Sequence, residues 1–430
     1  MITKFSFENW KSHRHSELFV DPLSVIIGTN ASGKSNALDG LLFMHRVANG
    51  LQLTTALQGD SAQVAMRGGI DWAARRPGDV FTLSVVVRAG ETIDYEYSIS
   101  GQVHDKRCDL LAERLVRVKF RTGKDGVRST EAGSVNLFWT DECQQGEAAI
   151  VARLYNEKRG TTRALGRGNA ILYQLFGQKV REEIQEGVDA VMRALRQIFI
   201  LDPIPAHMRG YSPLSEQLDP DARNIAGVLA ALPADRKQKI EETITHYASD
   251  LPEKDIRRVY AEPVGKFGSD AMLYCDEHWA DTGEDSAVDA RGMSDGSLRF
   301  LAILTALLTR PEGSLLVIEE VDNGLHPSRA ELLLRMLKDI GTQRGVDIIV
   351  TTHNPALLDA MGTEMVPFIT VANRDPVSGD SQLTLLESLA DLPRLLAQGA
   401  VGRLSSHGLI EASLHAAAQR QGEGEGLERS

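Results

Sequence analysis

The hydrophobic pattern of the chain alternates between short β-branched runs and longer segments with helical spacing. Apolar residues dominate positions 23–27, 315–318 and 347–351. Such short apolar runs are typical of strands that are buried on both faces. The apolar residues of 36–44 and 298–308 recur instead at the three- and four-residue steps of a helix. The alternation of the two patterns predicts an α/β fold.

Two stretches depart from this alternation. Positions 81–87, 95–99 and 115–120 are rich in β-branched and aromatic residues, and the last of them alternates apolar with basic side chains. This is typical of half-buried antiparallel strands and predicts a β meander attached to the core. From about 145 to 260 the apolar residues return to helical spacing, so this region is predicted to be mostly helical.

The most specific motif lies between the first buried run and the first helix. Residues Gly28–Ser35 fit the pattern G-x-x-x-x-G-K-[ST] of phosphate-binding loops. A strand, a glycine loop and a helix N-terminus together direct backbone N–H groups at a phosphate, which a chance glycine turn would not require. Lys34 is predicted to reach the β- and γ-phosphates of ATP, and the Ser35 hydroxyl is predicted to bind Mg²⁺. The predicted nucleotide-binding residues here are Gly28, Thr29, Asn30, Ala31, Ser32, Gly33, Lys34, Ser35 and Asn36.

Two adjacent carboxylates, Glu319 and Glu320, follow the run at 315–318. An acid at the end of a buried strand beside a phosphate-binding loop can hold Mg²⁺, so Glu319 is the predicted metal ligand. The next acid can orient or deprotonate the attacking water, so Glu320 is the predicted general base. Solvated acids at a strand end are the alternative, but the Asn-Gly-Leu-His-Pro segment at 323–327 favours the catalytic interpretation.

A histidine and a serine–glycine turn complete the candidates. His353 follows the run at 347–351 and is predicted to lie at the same sheet edge, where it can donate a hydrogen bond to the γ-phosphate. A structural histidine is the alternative. Ser294 and Gly296 lie in the turn before the helix at 298–308, a second helix N-terminus that can bind an anion. Taken alone, a plain N-cap explains this turn as well.

Composition and charge indicate the class of protein and the compartment in which this site would act. The 430 residues are 42% hydrophobic and 25% charged, as in an ordinary globular protein of two or three structural units. The three cysteines are far apart, which argues against disulfides or a zinc site and for a reducing cytoplasm. Neither a signal peptide nor an apolar run long enough to span a bilayer is evident, so no membrane association is expected. The net charge of -12 opposes a general attraction to nucleic acid.

In this order the motifs resemble those of the ABC-type ATPases of the SMC and RecF group, especially the compact, OLD-related, AAA-like prokaryotic members without long arms. The similar segments are Phe7–His13 at the start, Met293–Ser297 for the signature motif, Glu319-Glu320 for the end of Walker B, Asp322-Asn323 for the D-loop and His353 for the switch histidine. The resemblance implies a P-loop fold of the ABC-ATPase head type with a β meander and an inserted helical lobe. It also implies ATP hydrolysis by pairs of heads, in which Ser294 and Gly296 of one head cap the γ-phosphate held by the other.

The predicted organisation has four parts. They are 1–120, the N-terminal half of the head; 121–290, the inserted and mostly helical lobe; 291–375, the C-terminal half of the head; and 376–430, an extension with a disordered tail. The family pattern also includes a Q-loop glutamine, for which Gln58, Gln63 and Gln102 are candidates.

Two classes of function remain open. The chain resembles the ATPase subunits of Septu-like and PARIS-like anti-phage systems, which implies an ATP-dependent switch that self-associates and controls a separate effector protein. The alternative is a RecF-like ATPase that acts directly on DNA in repair or recombination. The basic stretch from Arg114 to Arg128 would then contact DNA, although a solvated strand face explains it as well. The first class is favoured, because neither a strongly basic surface nor a nuclease domain is evident.

Overall fold

The fold is built around one long mixed sheet. The computed structural model describes residues 1–61, 63–123, 128–144, 146–251, 256–279, 284–324 and 326–416. The strands of this part are β1 Ile2–Trp10, β2 His13–Phe19, β3 Leu23–Ile27, β4 Val80–Arg88, β5 Ile93–His104, β6 Arg107–Thr122, β7 Arg128–Thr140, β8 Ala149–Leu154, β9 Thr161–Gly166, β10 Ile198–Leu201, β11 Ser212–Pro213, β12 Ile256–Val264, β13 Asp270–Trp279, β14 Glu284–Asp289, β15 Leu315–Ile318, β16 Asp347–Thr351, β17 Ile369–Arg374 and β18 Ser381–Leu385. The helices are α1 Lys34–Ala48, α2 Leu53–Gln58, α3 Ile171–Leu175, α4 Glu182–Arg196, α5 Pro205–Met208, α6 Ile225–Ala231, α7 Ala234–Ser249, α8 Asp295–Thr309, α9 Ala330–Arg344, α10 Pro355–Ala360, α11 Leu392–Leu396 and α12 Val401–Ser406.

The order of the strands places the predicted site at the carboxyl ends of β15, β16 and β3. Within the described residues the order is β10-β15-β16-β3-β17-β18-β2-β1-β4-β5-β6-β7-β8-β9. Strands β15, β16, β3 and β17 pair in parallel, whereas the pairs from β2 to β9 are antiparallel. Because β3, β15 and β16 are parallel neighbours, their carboxyl ends meet. The segments that follow these three strands are therefore close in space.

The central strands are buried on both faces because helices cover each face. In β3, Val25 and Ile27 belong to the hydrophobic cluster that includes α8 and α9. Ile26 points the other way and belongs to the cluster that includes α1 and α4. The strand periodicity of two thus distributes a continuous apolar run between two cores. This confirms the α/β class predicted from the short apolar runs.

The prediction for 121–290 is corrected in one respect. The β meander is present as β4, β5 and β6, but it continues through β7, β8 and β9, so the proposed boundary at residue 120 falls inside β6. Strands β11 to β14 form a second sheet, in which β13 pairs with each of the other three. The region is therefore mixed rather than mostly helical, although it does contain α3 to α7. The helical periodicity of α4 is strong, whereas the alternating pattern of strands such as β8 is short, so the sequence predicted mostly helix in this region.

The last predicted part also contributes to the main sheet, since β18 pairs with β17 and β2. The predicted disordered tail after about residue 420 lies outside the described residues. None of the described helices has both the length and the apolar composition that a bilayer crossing needs.

A buried carboxylate joins the meander to the helical layer. Glu113 of β6 is 2% exposed and accepts hydrogen bonds from the backbone N–H groups of Ile171 (2.6 Å) and Leu172 (2.7 Å) at the start of α3. The Tyr97 hydroxyl donates a third hydrogen bond at 2.9 Å. Burial raises the pKa of Glu113 to about 7, although these three donors oppose the shift. The protonated carboxyl is therefore the form that the folded protein favours below neutral pH.

We expect this group to make stability depend on pH. Because the folded-state pKa lies above the ordinary value of 4.5, protonated Glu113 stabilises the fold at low pH, and this contribution is lost as the pH rises through about 7. The loss amounts to about 3 kcal/mol for a shift of this size. In Glu113→Gln the free energy of unfolding, measured with urea between pH about 4.5 and about 8, should fall less steeply with rising pH.

A smaller slope should remain in that variant, because burial also raises the pKa of Asp347 to about 6. Glu96 lies exposed on the neighbouring strand β5, so Glu96→Gln should keep the full pH dependence. An equal slope in Glu113→Gln and the unmodified protein would show that Glu113 does not titrate in this range.

Candidate functional site

The phosphate-binding loop has the conformation that its motif predicts. It connects β3 to α1, and Gly28, Ala31 and Gly33 have φ angles of 143°, 63° and 110°. A Cβ at Gly28 would lie 2.1 Å from the backbone oxygen of Ala372, so the first glycine is required both by its φ angle and by the close approach of β17. The glycines thus let the loop fold tightly against the sheet, with the N-terminus of α1 behind it.

The Lys34 side chain folds back over the phosphate-binding loop. Its Nζ donates hydrogen bonds to the backbone oxygens of Gly28 (2.6 Å) and Thr29 (3.0 Å). Burial lowers the pKa of the Lys34 ammonium, and the nearby Glu320 carboxylate opposes that shift. The Ser32 hydroxyl is buried and has no hydrogen-bond partner among the described residues. A phosphate oxygen in the loop would supply the acceptor that this hydroxyl lacks.

The predicted metal ligands lie next to each other at the end of β15. The Ser35 Oγ donates to the Glu319 Oε2 at 3.5 Å. Hydroxyl and carboxylate oxygens are the ligands that Mg²⁺ prefers, so this pair fits the ion. Among the described residues there is no cluster of three or more His, Cys, Asp or Glu side chains that could hold a metal without further ligands. Magnesium would therefore need phosphate oxygens or water to complete its coordination.

An arginine that the sequence did not point to also contacts this carboxylate. The Arg67 Nη2 donates to both oxygens of Glu319, at 2.6 and 2.8 Å. Burial raises the pKa of Glu319, whereas the Arg67 guanidinium lowers it. Arg67 thus places a positive charge beside the carboxylate that is predicted to hold a cation. The Arg-Gly-Gly sequence at 67–69 carries no motif that marks Arg67 as part of a site.

Glu320 is held by the turn that follows β15. Its φ angle of 46° lies in the left-handed region, which is costly for a residue with a side chain. The Glu320 backbone N–H donates to the Thr351 Oγ1 at 2.8 Å, and the Asn323 amide donates to the Glu320 Oε2 at 3.3 Å. These contacts fix the acid at the mouth of the phosphate-binding loop, where a general base would be needed.

One cavity of 390 Å³ brings most of the candidates together; we call it the loop cavity. It is lined by Ser12, Asn30, Ala31, Ser32, Gly33, Lys34, Ser35, Asn36, Glu319, Glu320, Thr351 and Arg374. Gly28 and Thr29 shape the loop but do not line the cavity. Ser12, Thr351 and Arg374 were not among the predicted site residues, since no motif marks their positions and only the sheet topology brings them here.

His353 lies two residues after the end of β16, next to β15 and β3 in the sheet, as its position in the sequence predicted. Its side chain is exposed and is not part of the lining of the loop cavity. Its contact with the γ-phosphate therefore stays a prediction. The three Q-loop candidates also lie outside this lining, and Gln58 and Gln102 instead donate to the Lys106 oxygen and to Asp79.

The serine–glycine turn opens α8, away from the loop cavity of its own chain. Ser294 is the N-cap, and its Oγ accepts a hydrogen bond from the Ser297 backbone N–H at 3.1 Å. A Cβ at Gly296 would lie 2.6 Å from the Gly324 oxygen, so the turn packs closely against the segment after Glu320. Neither Ser294 nor Gly296 lines the loop cavity.

Arg209 fixes the approach to this turn. Its Nη1 donates to the backbone oxygens of Ala290 (3.1 Å), Arg291 (2.9 Å) and Met293 (2.8 Å). Its Nη2 donates to the Asp295 carboxylate at 2.5 Å. One guanidinium therefore binds both sides of the turn and holds Ser294 in a defined position.

The fold and this site define a P-loop NTPase of the ABC-ATPase head type. The chain belongs to the family described as "AAA domain, putative AbiEii toxin, Type IV TA system", whose model matches residues 23–124 and 155–359, more than half of the chain.

Matches among solved structures include SMC heads. An SMC head bound to the C-terminal winged-helix domain of ScpA matches with a TM-score of 0.51 and 14% identity, over 89% of this chain and 97% of that chain. An SMC head from Pyrococcus furiosus with an extended coiled coil, bound to the C-terminal domain of ScpA, matches with a TM-score of 0.47 and 12% identity, over 92% and 99%.

A curated relative matches over a shorter stretch. ABC transporter G family member 5 of Arabidopsis thaliana is 31% identical over 119 residues, which is 27% of this chain. The match covers only 17% of that relative's own length.

Proposed function

We propose that this protein is an ATP-hydrolysing switch whose heads associate when ATP is bound. The observation that carries the proposal is the loop cavity, which joins Lys34 and Ser35 to Glu319 and Glu320. These are a phosphate-binding cation, two oxygen ligands for Mg²⁺ and a carboxylate for the attacking water. Family membership supports the same activity.

The residues divide the work of hydrolysis. Lys34 would leave the carbonyl oxygens of its own loop and bind the phosphates, while Ser35 and Glu319 hold the metal ion. Bound Mg²⁺ supplies charge neutralisation for the triphosphate. Glu320 would accept a proton from the attacking water, since its carboxylate is fixed at the cavity and keeps one weak hydrogen bond to Asn323.

A second head would complete the site. The Ser294 hydroxyl and the N-terminus of α8 are held rigidly by Arg209 but do not line the loop cavity of the same chain. An ordered helix N-terminus with a serine cap suits a phosphate that another chain presents. ATP bound between two heads would then stabilise the dimer, and hydrolysis would release it.

Replacing Ser294 with arginine tests this arrangement. The larger side chain at the interface should weaken ATP-dependent association about 30-fold or more, the effect of disrupting a well-packed contact, while binding of ATP to a single head is retained. Sedimentation of the protein with and without ATP measures the association, and titration calorimetry measures ATP binding.

Ser388→Arg provides the matched control, because Ser388 is an exposed serine whose hydroxyl donates to the Leu385 oxygen. It should associate as the unmodified protein does. ATP-dependent association that survives in Ser294→Arg would refute a role of this turn between heads.

We further propose that association of the heads controls a separate effector protein, as part of anti-phage defence of the Septu-like or PARIS-like kind. The family description names a toxin–antitoxin system, which has two components. The SMC head of similar fold is bound to a domain of another protein, ScpA. Both support a partner protein rather than a chain that acts alone. We place the pair in the cytoplasm, which the three widely spaced cysteines favour.

The candidate DNA surface gains less support. Arg128 is engaged by Asp94 at 2.8 Å and by the Phe120 ring, and Arg114 donates to Asn136.

Purification with the product of a neighbouring gene, followed by ATPase assays with and without duplex DNA, separates the two functions. Stimulation by DNA without the partner would favour direct action on DNA.

A further inference from the structure

A second cavity, of 520 Å³, adjoins the loop cavity; we call it the basic cavity. The two share Ser12, Asn36 and Arg374. The remaining lining includes Lys11, Arg67, Gly68, Trp72, Arg75 and Arg76. Both volumes are in the range of small-molecule sites, and the three shared residues make the two cavities adjacent.

The shared residues show which end of a nucleotide would enter the basic cavity. Lys34 and Ser35 are committed to the terminal phosphates and the metal ion. Asn36 comes next along α1, and its amide donates to the Ser12 Oγ at 2.7 Å, so these two residues form the passage between the cavities. The part of the nucleotide beyond its terminal phosphates therefore passes Asn36 and Ser12 and reaches the basic cavity.

Trp72 offers a flat surface inside this cavity. Trp72 is 56% exposed and lies in a short helical turn between α2 and β4. A Cβ at Gly68 would lie 2.8 Å from the Trp72 Cβ, and the Arg76 guanidinium lies 4.4 Å from the centre of the ring. The indole is thus held in place beside a site for phosphates, and aromatic faces of this kind stack on nucleobases.

The charges of the basic cavity are only partly neutralised. Lys11 pairs with Asp39, Arg67 with Glu319 and Arg75 with Asp380. Arg76 and Arg374 form no ion pair among the described residues and donate only to backbone oxygens of Asp71 and Gly379. Because Arg374 lines both cavities, its charge faces the passage that an α-phosphate would occupy.

We propose that the basic cavity is the nucleoside subsite of this ATPase, with the base stacked on Trp72 and Arg374 facing the α-phosphate. The inference deepens the proposed function and rests on it. It makes Trp72 a specificity-determining residue, which a triphosphate without a base would not contact.

The test compares ATP with inorganic triphosphate as ligands, by titration calorimetry. Trp72→Ala should weaken ATP binding about tenfold or more, the usual effect of removing an aromatic stacking partner, and Trp72→Phe should weaken it less. Binding of inorganic triphosphate should be the same in all three proteins. Trp139→Phe, at a separate cavity on the meander, is the control and should bind ATP normally.

Fluorescence gives a second measurement that does not depend on turnover. ATP should quench the indole emission of the unmodified protein but not that of Trp72→Phe, and inorganic triphosphate should quench neither. Because Trp72 is largely exposed, its variants should keep the thermal stability of the unmodified protein.

Normal ATP affinity and quenching in the Trp72 variants would overturn the subsite but leave the ATPase proposal standing. Failure of the unmodified protein to bind ATP would overturn both. Single-stranded oligonucleotides form a third arm of the titration. If Trp72→Ala weakens their binding and not that of ATP, the cavity is a nucleic-acid site and the nucleoside assignment is wrong.

Discussion

Lys34→Ala should weaken ATP binding about a hundredfold or more. The Lys34 Nζ now bonds to two carbonyl oxygens of its own loop, and in the loaded site it would form charge-assisted hydrogen bonds to two phosphates. Each such bond contributes about 1.5 to 3 kcal/mol, and alanine offers no positive charge to the phosphates. Titration calorimetry with ATP and Mg²⁺ measures the loss directly.

A lysine outside the cavity controls for the general effect of charge. Lys4 lies on β1 and pairs with Glu17 at 2.7 Å, so Lys4→Ala removes the same charge without touching the site. It should bind ATP normally. Tight ATP binding in Lys34→Ala would refute the assignment of the phosphate-binding loop.

Glu320→Gln should permit ATP binding but slow hydrolysis by about 10² to 10⁴, the usual contribution of a general base. The amide keeps the shape of the side chain and its place after β15, but it cannot accept the proton of water. Because binding and hydrolysis are then uncoupled, the variant should accumulate in the ATP-bound, associated state. Phosphate release measures turnover, and sedimentation in ATP measures association.

Glu319→Gln is the informative comparison, since the two acids are adjacent but have different roles. It should raise the Mg²⁺ concentration needed for hydrolysis, whereas Glu320→Gln should be insensitive to added Mg²⁺. Hydrolysis at the normal rate in Glu320→Gln would place the base elsewhere in the site.

The sequence predicted the parts of the site that follow directly from local patterns. The loop at Gly28–Ser35 and the acids at Glu319 and Glu320 each follow a short apolar run, and the two runs become parallel strands on either side of β16. Their meeting point could therefore be inferred before any coordinates.

Arg67 and Arg374 could not be found in this way. Arg67 lies in an irregular segment, 252 residues before its partner Glu319. Arg374 ends β17, far along the chain from the loop whose cavity it lines, so no spacing marks either arginine. The strands of 128–166 were missed for a related reason. Strands β8 and β9 are six residues long and extend the sheet at its far edge, where an alternating pattern is too short to outweigh the helical signal of α4.

The ion pair between Arg67 and Glu319 has a consequence for how such a site is loaded. The guanidinium holds both carboxylate oxygens, at 2.6 and 2.8 Å, and so competes with any metal ion for the same electrons. Under the proposed function, Mg²⁺ and ATP would have to displace Arg67 from Glu319 when they bind. Their apparent affinity would then be reduced by the free energy of the Arg67–Glu319 ion pair that is broken. The released arginine would then be free to turn toward the basic cavity, which it lines. The segment that carries Arg67 would therefore change its position when the nucleotide binds.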